Sequence, residues 1–430
     1  MANLAIAGGA PLRTKPFTQW PQFDQRERDA ILDVLDSGNW GGYPFPNELA
    51  SRFSRRFAEL QDSKHALCAA NGTVTLEIAL KAMCIGPGDE VIVPAYTFEA
   101  TAAPVLRLGA IPVFVDVSPD TYCIDPAAAS AAVTSRTRAI IPVHLAMSMA
   151  DMDSLTELAK QHGLKLLEDC AHAHGAKWRG KGAGSIGDAG SFSMQTSKLM
   201  TAGEGGVVTT NNDEIFELCE SYVNCGRASQ SDRYSHRILG FNYRMTEFQA
   251  AILLKQLERL PAQTERRAAR AKRLSRLLSA VPGISLLSRD DRVTTQAIYQ
   301  FVFKYNAEAF GGASRDRFVA ALEAEGILAE GRFYEPIYRS PLFRVDPGDF
   351  RALSGLGTSD LPWARTHCPV AERAAYAESV WIPHQLLLGS EQDVDQIVEA
   401  VRKIQSNIDE LLSAEHPLIE IKQLNRADRR

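Results

Sequence analysis

Ser191-Phe-Ser-Met-Gln-Thr-Ser-Lys198-Leu-Met-Thr-Ala-Gly-Glu-Gly-Gly206 is the stretch on which the reading of this chain turns. Residues 188–194 alternate in the manner of a strand, and Lys198 follows among small residues, just before a Gly-Glu-Gly-Gly turn. A solvated surface charge is a poor explanation for that setting. A lysine that forms a Schiff base with an aldehyde cofactor fits it better, and pyridoxal 5'-phosphate (PLP) is the aldehyde for which the rest of the chain provides.

Upstream, Asn71-Gly72-Thr73 ends a predicted strand over 65–69 and opens a helical pattern through Leu76, Ile78, Leu80 and Met83. Amides at such a helix start, with the Thr73 hydroxyl, suit a phosphate, and Gly72 permits close backbone approach. Glu168-Asp169-Cys-Ala-His172-Ala-His174-Gly175 follows the apolar run 164–167, which puts Asp169 at the carboxyl end of a buried strand. A carboxylate there can pair with a protonated pyridine nitrogen, and His172 could orient that carboxylate or cover the ring. Pro94-Ala-Tyr96-Thr-Phe98 follows the strand 90–93 in the same way, so Phe98 or Tyr96 could stack on the pyridine. An aromatic after a strand is core in most proteins, and Asn-Gly-Thr triplets are common; the weight lies in the order and spacing of these elements.

Strand patterns at 90–93, 111–117, 139–143, 164–168, 188–194 and 206–210 alternate with helical ones such as 153–162. They predict an α/β fold with a mostly parallel sheet and its ligand at the strand ends. Residues 246–281 read as helix with Ala250, Leu253, Leu257 and Leu260 on one face, kinked or broken at Pro261. The basic run 266–276 reads as a solvated face, with an anion patch as the alternative. A smaller α/β unit follows, with strands at 297–304, 327–333 and 379–383 and helices at 314–325 and 391–412. The expected organisation is an N-terminal arm over 1–50, a large PLP-binding domain over 51–260, a small C-terminal domain over 261–414 and a mobile tail over 415–430.

The quoted motifs resemble those of the DegT/DnrJ/EryC1/StrS family, PLP-dependent aminotransferases that act on keto sugars and cyclitols. The matching residues are Asn71-Gly-Thr73, Pro94 to Phe98, Pro142-Val-His144, Glu168-Asp169 with His172, Ser193, Lys198, Gly203-Glu-Gly-Gly206 and Gly240-Phe-Asn-Tyr-Arg-Met-Thr-Glu247. The resemblance implies PLP-dependent transferase fold type I, with a large, mostly parallel α/β domain and a smaller C-terminal one. It implies Lys198 as the Schiff-base lysine, Asp169 on the pyridine nitrogen, Phe98 on the ring, and Gly72, Thr73 and Ser193 on the phosphate. Asn242 matches an asparagine that reaches the phosphate from a neighbouring subunit, which implies a homodimer with shared active sites. Relatives with histidine in place of the lysine are dehydratases, and Lys198 speaks against that branch.

Residues 120–125, 142–153, 368–373 and 380–388 look most like the glutamine-dependent branch that aminates carbocyclic ketones such as scyllo-inosose, and like 3-amino-5-hydroxybenzoate synthases. That likeness implies an amino-acid donor, glutamine or glutamate, and a cyclic ketone acceptor, with Gln195, Tyr96 and His384 as substrate contacts. The chain departs from those enzymes at 39–43 and 224–228. An aromatising lyase on the same site is one alternative. A non-catalytic regulator is another, but no helix-turn-helix pattern or basic appendage accompanies it.

The 430 residues carry a net charge of −5, which gives no reason to expect nucleic acid. No apolar run approaches membrane length, and seven scattered cysteines without a CxxC pair read as reduced thiols of a cytoplasmic protein. Gly182-Ala-Gly184-Ser-Ile-Gly187 satisfies GxGxxG but leads into a strand, the reverse of a dinucleotide fingerprint. His172 and His174 alternate on a loop and make a poor metal site, so no metal is expected.

Overall fold

A computed structural model of the chain describes residues 3–42, 45–227, 235–355 and 357–414. Seven strands form the central sheet: β1 (His65–Ala69), β2 (Glu90–Pro94), β3 (Ile111–Val115), β4 (Thr137–Ile140), β5 (Lys165–Asp169), β6 (Ala189–Ser193) and β7 (Gly206–Thr210). Their order is β1-β7-β6-β5-β4-β2-β3. From β6 to β3 all pairs are parallel, whereas β7 runs antiparallel to both β1 and β6. β2 and β7 are buried along their whole length, as strands covered on both faces should be, and their sequences are accordingly almost continuously apolar.

Parallel pairing brings the carboxyl ends of β5 and β6 to one edge, with Asp169 opposite Ser191 and Ser193 just beyond. The antiparallel β7 returns the chain to the same edge, where Gly206 pairs with both Ser193 and Ala69. The helix Gly72–Ala82 therefore starts beside Ser193. Asn71 caps it, its side chain accepting from the Val74 amide at 2.9 Å, a bond worth about 1 kcal/mol.

A second, antiparallel sheet holds β8 (Ile284–Leu286), β9 (Gln300–Tyr305) and β10 (Ser379–Pro383) in the order β8-β9-β10. Helices Arg315–Ala324 and Glu391–Gln405 pack on it, joining Phe301, Phe303, Phe318, Val394 and Ile397 in one hydrophobic cluster. A larger cluster surrounds the central sheet.

Four expectations need correction. Pro261 neither breaks nor ends its helix, which runs unbroken over Glu247–Leu278. The missing N–H of Pro261 is offset by tertiary bonds to both neighbouring turns: Gln256 and Arg259 bond Glu27, and Gln263 bonds the side chain of Gln22 at 2.9 Å. The basic run is no solvated face either. Arg270 and Arg273 pair with Glu391 and Asp395 on the facing helix, and Arg267 is buried. No strand spans 327–333: only Glu330 bridges Trp381, and Gly326 and Gly331 flank that short contact. The C-terminal helical stretch is interrupted, as Glu391–Gln405 and Ile408–Ser413. The expected tail over 415–430 lies outside the described residues, and among those residues no helix is long and apolar enough to cross a membrane.

Candidate active site

Asp169 ends β5 and is buried, 5% exposed as a residue. One oxygen accepts from the Thr101 hydroxyl at 2.8 Å and the other from the Ala171 amide at 3.1 Å. No cation lies within ion-pair reach among the described residues. Burial accordingly pushes the carboxyl group above the usual range, while those two donors and the charge of Lys198 pull it back. Such a group is a carboxylate awaiting a cation.

Lys198 sits in the turn after β6, and the chain at Thr196 and Met194 closes back on Gly203 and Gly205 through backbone bonds. Its ammonium group forms no ion pair among the described residues and stands 4.5 Å from the centre of the Tyr299 ring. Tyr299 in turn shares a 2.9 Å bond with the Ser197 hydroxyl. The Gly72–Ser193 contact forms the next part of the cradle: a Cβ added at Gly72 would meet the Ser193 Cβ at 2.6 Å, so only glycine lets the helix start lie against β6. Thr73 is exposed on that first turn.

Other expected residues are placed differently. The His172 Nδ1 accepts from the Ala146 amide at 3.1 Å, so Nε2 carries the hydrogen and donates to the Tyr334 hydroxyl at 3.2 Å. Its ring stacks on Tyr299 at 4.0 Å. Thr101, which no sequence motif singled out, bonds Asp169 and so takes the orienting place considered for His172. Tyr96 is 0% exposed, bonds Ser379 at 3.1 Å and packs edge-on against Tyr122 and Trp381, a core position. Gln195 turns its side-chain oxygen back on Ser197. His384 is buried, its Nε2 on the Ser197 carbonyl at 3.2 Å. Phe98 is 53% exposed, and Asn242 is exposed in a separate segment that also exposes Leu239 and Phe241.

His144, Glu168 and Cys170 bring potential metal-ligand atoms within 4.8 Å of one another. Glu168 is already saturated: it accepts from His144 at 3.0 Å and from the amides of Gly184, Ile186 and Gly187. The GxGxxG loop is thus a backbone cradle for a buried carboxylate. A groove of about 770 Å³, lined by Leu60, Leu260, Ala268, Leu286 and Phe301, runs along the long helix and includes none of the site residues above.

The description of the DegT/DnrJ/EryC1/StrS aminotransferase family matches residues 21–402. The chain belongs to that family. Its fold is that of the PLP-dependent aminotransferases, and it is an enzyme of that class. A protein of Streptoalloteichus tenebrarius, provisionally named L-glutamine:3-amino-2,3-dideoxy-scyllo-inosose aminotransferase, is 45% identical over 413 residues, covering 95% of this chain and 99% of that protein. The L-glutamine:scyllo-inosose aminotransferase of Streptomyces griseus is 37% identical, covering 95% and 99%. Among solved structures, 3-amino-5-hydroxybenzoic acid synthase superposes with a TM-score of 0.80 at 36% identity, covering 93% of this chain and all of that one. PLP fits the family site as found here: a buried carboxylate without a cation, an unpaired lysine, and a helix start that only glycine admits.

Proposed function

We propose that this aminotransferase moves an amino group from L-glutamine, or L-glutamate, to the ring ketone of a cyclitol in aminocyclitol antibiotic biosynthesis. The observation that carries the reading is the joint placement of Lys198 and Asp169 at neighbouring strand ends, beside the Gly72–Ser193 cradle. The named activities of the two actinobacterial relatives support the choice of donor and acceptor.

In this reading Asp169 holds the pyridine nitrogen, Lys198 the aldehyde carbon, and Gly72, Thr73 and Ser193 the phosphate. When bound, PLP supplies an aldehyde that captures amines and a ring that takes up the electron pair of a broken C–H bond. Thr101 and the Ala171 amide keep Asp169 aimed and favour its ionised form. Lys198 Nζ is the base in both halves of a ping-pong reaction: it takes the proton from the donor Cα and later returns one to the acceptor carbon. The aromatic wall of Tyr299, His172 and Tyr334 limits water around that nitrogen.

Phe98 covers the ring face at the rim, and Asn242 completes the phosphate site of a neighbouring copy, so the active unit is a C2 homodimer. His384 and Gln195 act on the acceptor side through the Lys198 segment to which both are bonded. The cysteines are all free among the described residues, which suits the reducing cytoplasm. The test is a two-stage reaction: glutamine, glutamate or alanine should bleach the visible band of the lysine-bound cofactor, and scyllo-inosose should restore it. Bleaching without recovery moves the acceptor to another keto ring, and no bleaching by any donor rejects the proposal.

A further inference from the structure

Three carbonyls of the segment that carries Lys198 are each held by a side chain from elsewhere in the chain. His174 Nε2 bonds the Ser193 carbonyl at 3.0 Å, Trp20 Nε1 the Thr196 carbonyl at 2.8 Å, and His384 Nε2 the Ser197 carbonyl at 3.2 Å. A carbonyl only accepts, so each of these ring nitrogens carries its hydrogen, and the Nδ1 atoms of His174 and His384 are left as lone-pair acceptors. Both Nδ1 atoms are buried with no partner among the described residues.

Against this bracket lies Arg267, one turn beyond Gln263 on the long helix. Its side chain is 1% exposed, and Nε, Nη1 and Nη2 all lack hydrogen-bond partners among the described residues. It forms no ion pair there. Its guanidinium carbon stands 5.3 Å from the Trp20 ring, and Trp20 meets His384 edge to face at 4.6 Å. Burying an arginine without a carboxylate is costly, and the setting lowers even this group to about 9 through burial. The charge of Arg267 acts on both His174 and His384, whose Nδ1 atoms are buried and without a partner among the described residues, as is the Gln263 side-chain oxygen one turn earlier on the helix. Unpartnered donors on the arginine and unpartnered neutral acceptors on the two histidines and Gln263 are complementary in kind.

We propose that Arg267 is a positioning residue, which holds His174, Trp20 and His384 in the one donor arrangement that fixes the carbonyls of Ser193, Thr196 and Ser197, and through them Lys198. A buried cation whose charge acts on both imidazoles disfavours a second proton on either ring, so the single hydrogen stays on Nε2, where the carbonyls hold it. The charges that weigh most on either ring are all positive. Burial chiefly, then Lys198 and Arg267, take His174 down to about 3; burial and Arg267 take His384 well below the usual imidazole range. The backbone carbonyls act the other way without reversing it. Both rings are therefore neutral at physiological pH, and only the tautomer remains to be chosen.

The inference rests on Lys198 as the reactive lysine, but its first readout does not. Histidine ¹⁵N spectra of the holoenzyme should show His174 and His384 as fixed Nε2–H tautomers that do not titrate between about pH 5 and 8. Arg267→Met should bind PLP, move the His384 signals to a mixed tautomer or a titrating form, and lower kcat about ten- to a hundredfold with KM for glutamine within about threefold. Arg267→Lys, which keeps the charge and is the fallback if the methionine variant fails to fold, should retain the wild-type histidine spectrum and lose less turnover. Wild-type spectra in Arg267→Met, or altered spectra with unchanged kcat, would overturn the proposal. Neither outcome touches the donor and acceptor assignment, which fails only if wild-type enzyme does not turn over.

Discussion

The floor of the site and its rim are built in opposite ways. The floor, from Asp169 through Ser193 to Lys198, is buried or half-buried and tied to the N-terminal arm by Trp20, to the second sheet by Tyr299 and to the turn after β10 by His384. The rim leaves Phe98 53%, Leu239 75% and Phe241 41% exposed, with Asn242 beside them. One chain thus brings together the groups proposed for the chemistry, while large apolar side chains at the proposed rim stay exposed. In the proposed reading the labour is divided: reactivity belongs to one chain, and closure of the site to the pair.

The sharpest way to break that comparison is at the floor. Lys198→Ala should lose on the order of 10⁶-fold in turnover and all visible absorbance of the lysine-bound cofactor, read by stopped-flow and spectrophotometry. Asp169→Asn should lower kcat roughly 10²–10³-fold. Its effect on stability runs the other way, and the sign follows from the raised carboxyl. The folded state holds that proton more tightly than the unfolded chain, so stability falls as pH rises above about 4 toward the raised value. Cofactor-free Asp169→Asn should therefore gain stability over cofactor-free wild type at pH 7, and gain less at pH 4, in paired thermal melts.

At the rim the effects are smaller. Asn242→Ala should weaken PLP binding about ten- to a hundredfold, the loss of one hydrogen bond to a charged group. Mixing it with Lys198→Ala subunits distinguishes the two architectures: a shared site yields one intact centre per heterodimer and recovers activity, whereas a site complete in one chain yields none. Smallest in catalysis is Glu168→Gln. It leaves the reacting groups in place but weakens the cradle of Gly184, Ile186 and Gly187, and should cost roughly 1–3 kcal/mol in urea unfolding.

Much of the floor was legible because parallel strands end in the residues that face the ligand, and periodicity locates strand ends well. The ranges His65–Ala69, Gly206–Thr210 and Ser379–Pro383 emerge from the pattern alone. Pro261 misled because a local rule was overridden by bonds to Gln22 and Glu27, more than two hundred residues away. Residues 327–333 carry an apolar pattern, yet pair with β10 only at Glu330, between Gly326 and Gly331. Thr101, Trp20, Tyr299 and Arg267 leave no local trace at all. Each matters through what it touches in space, and Arg267 in particular hides within a run of arginines of which Arg270 and Arg273 pair with acidic residues on the facing helix.

The most direct test of the central claim is chemical. Borohydride reduction of the holoenzyme, followed by digestion and mass spectrometry, should place the reduced cofactor on the peptide containing Lys198 and on no other lysine. A label on a different lysine, or an unlabelled Lys198 peptide in fully loaded enzyme, would contradict the account.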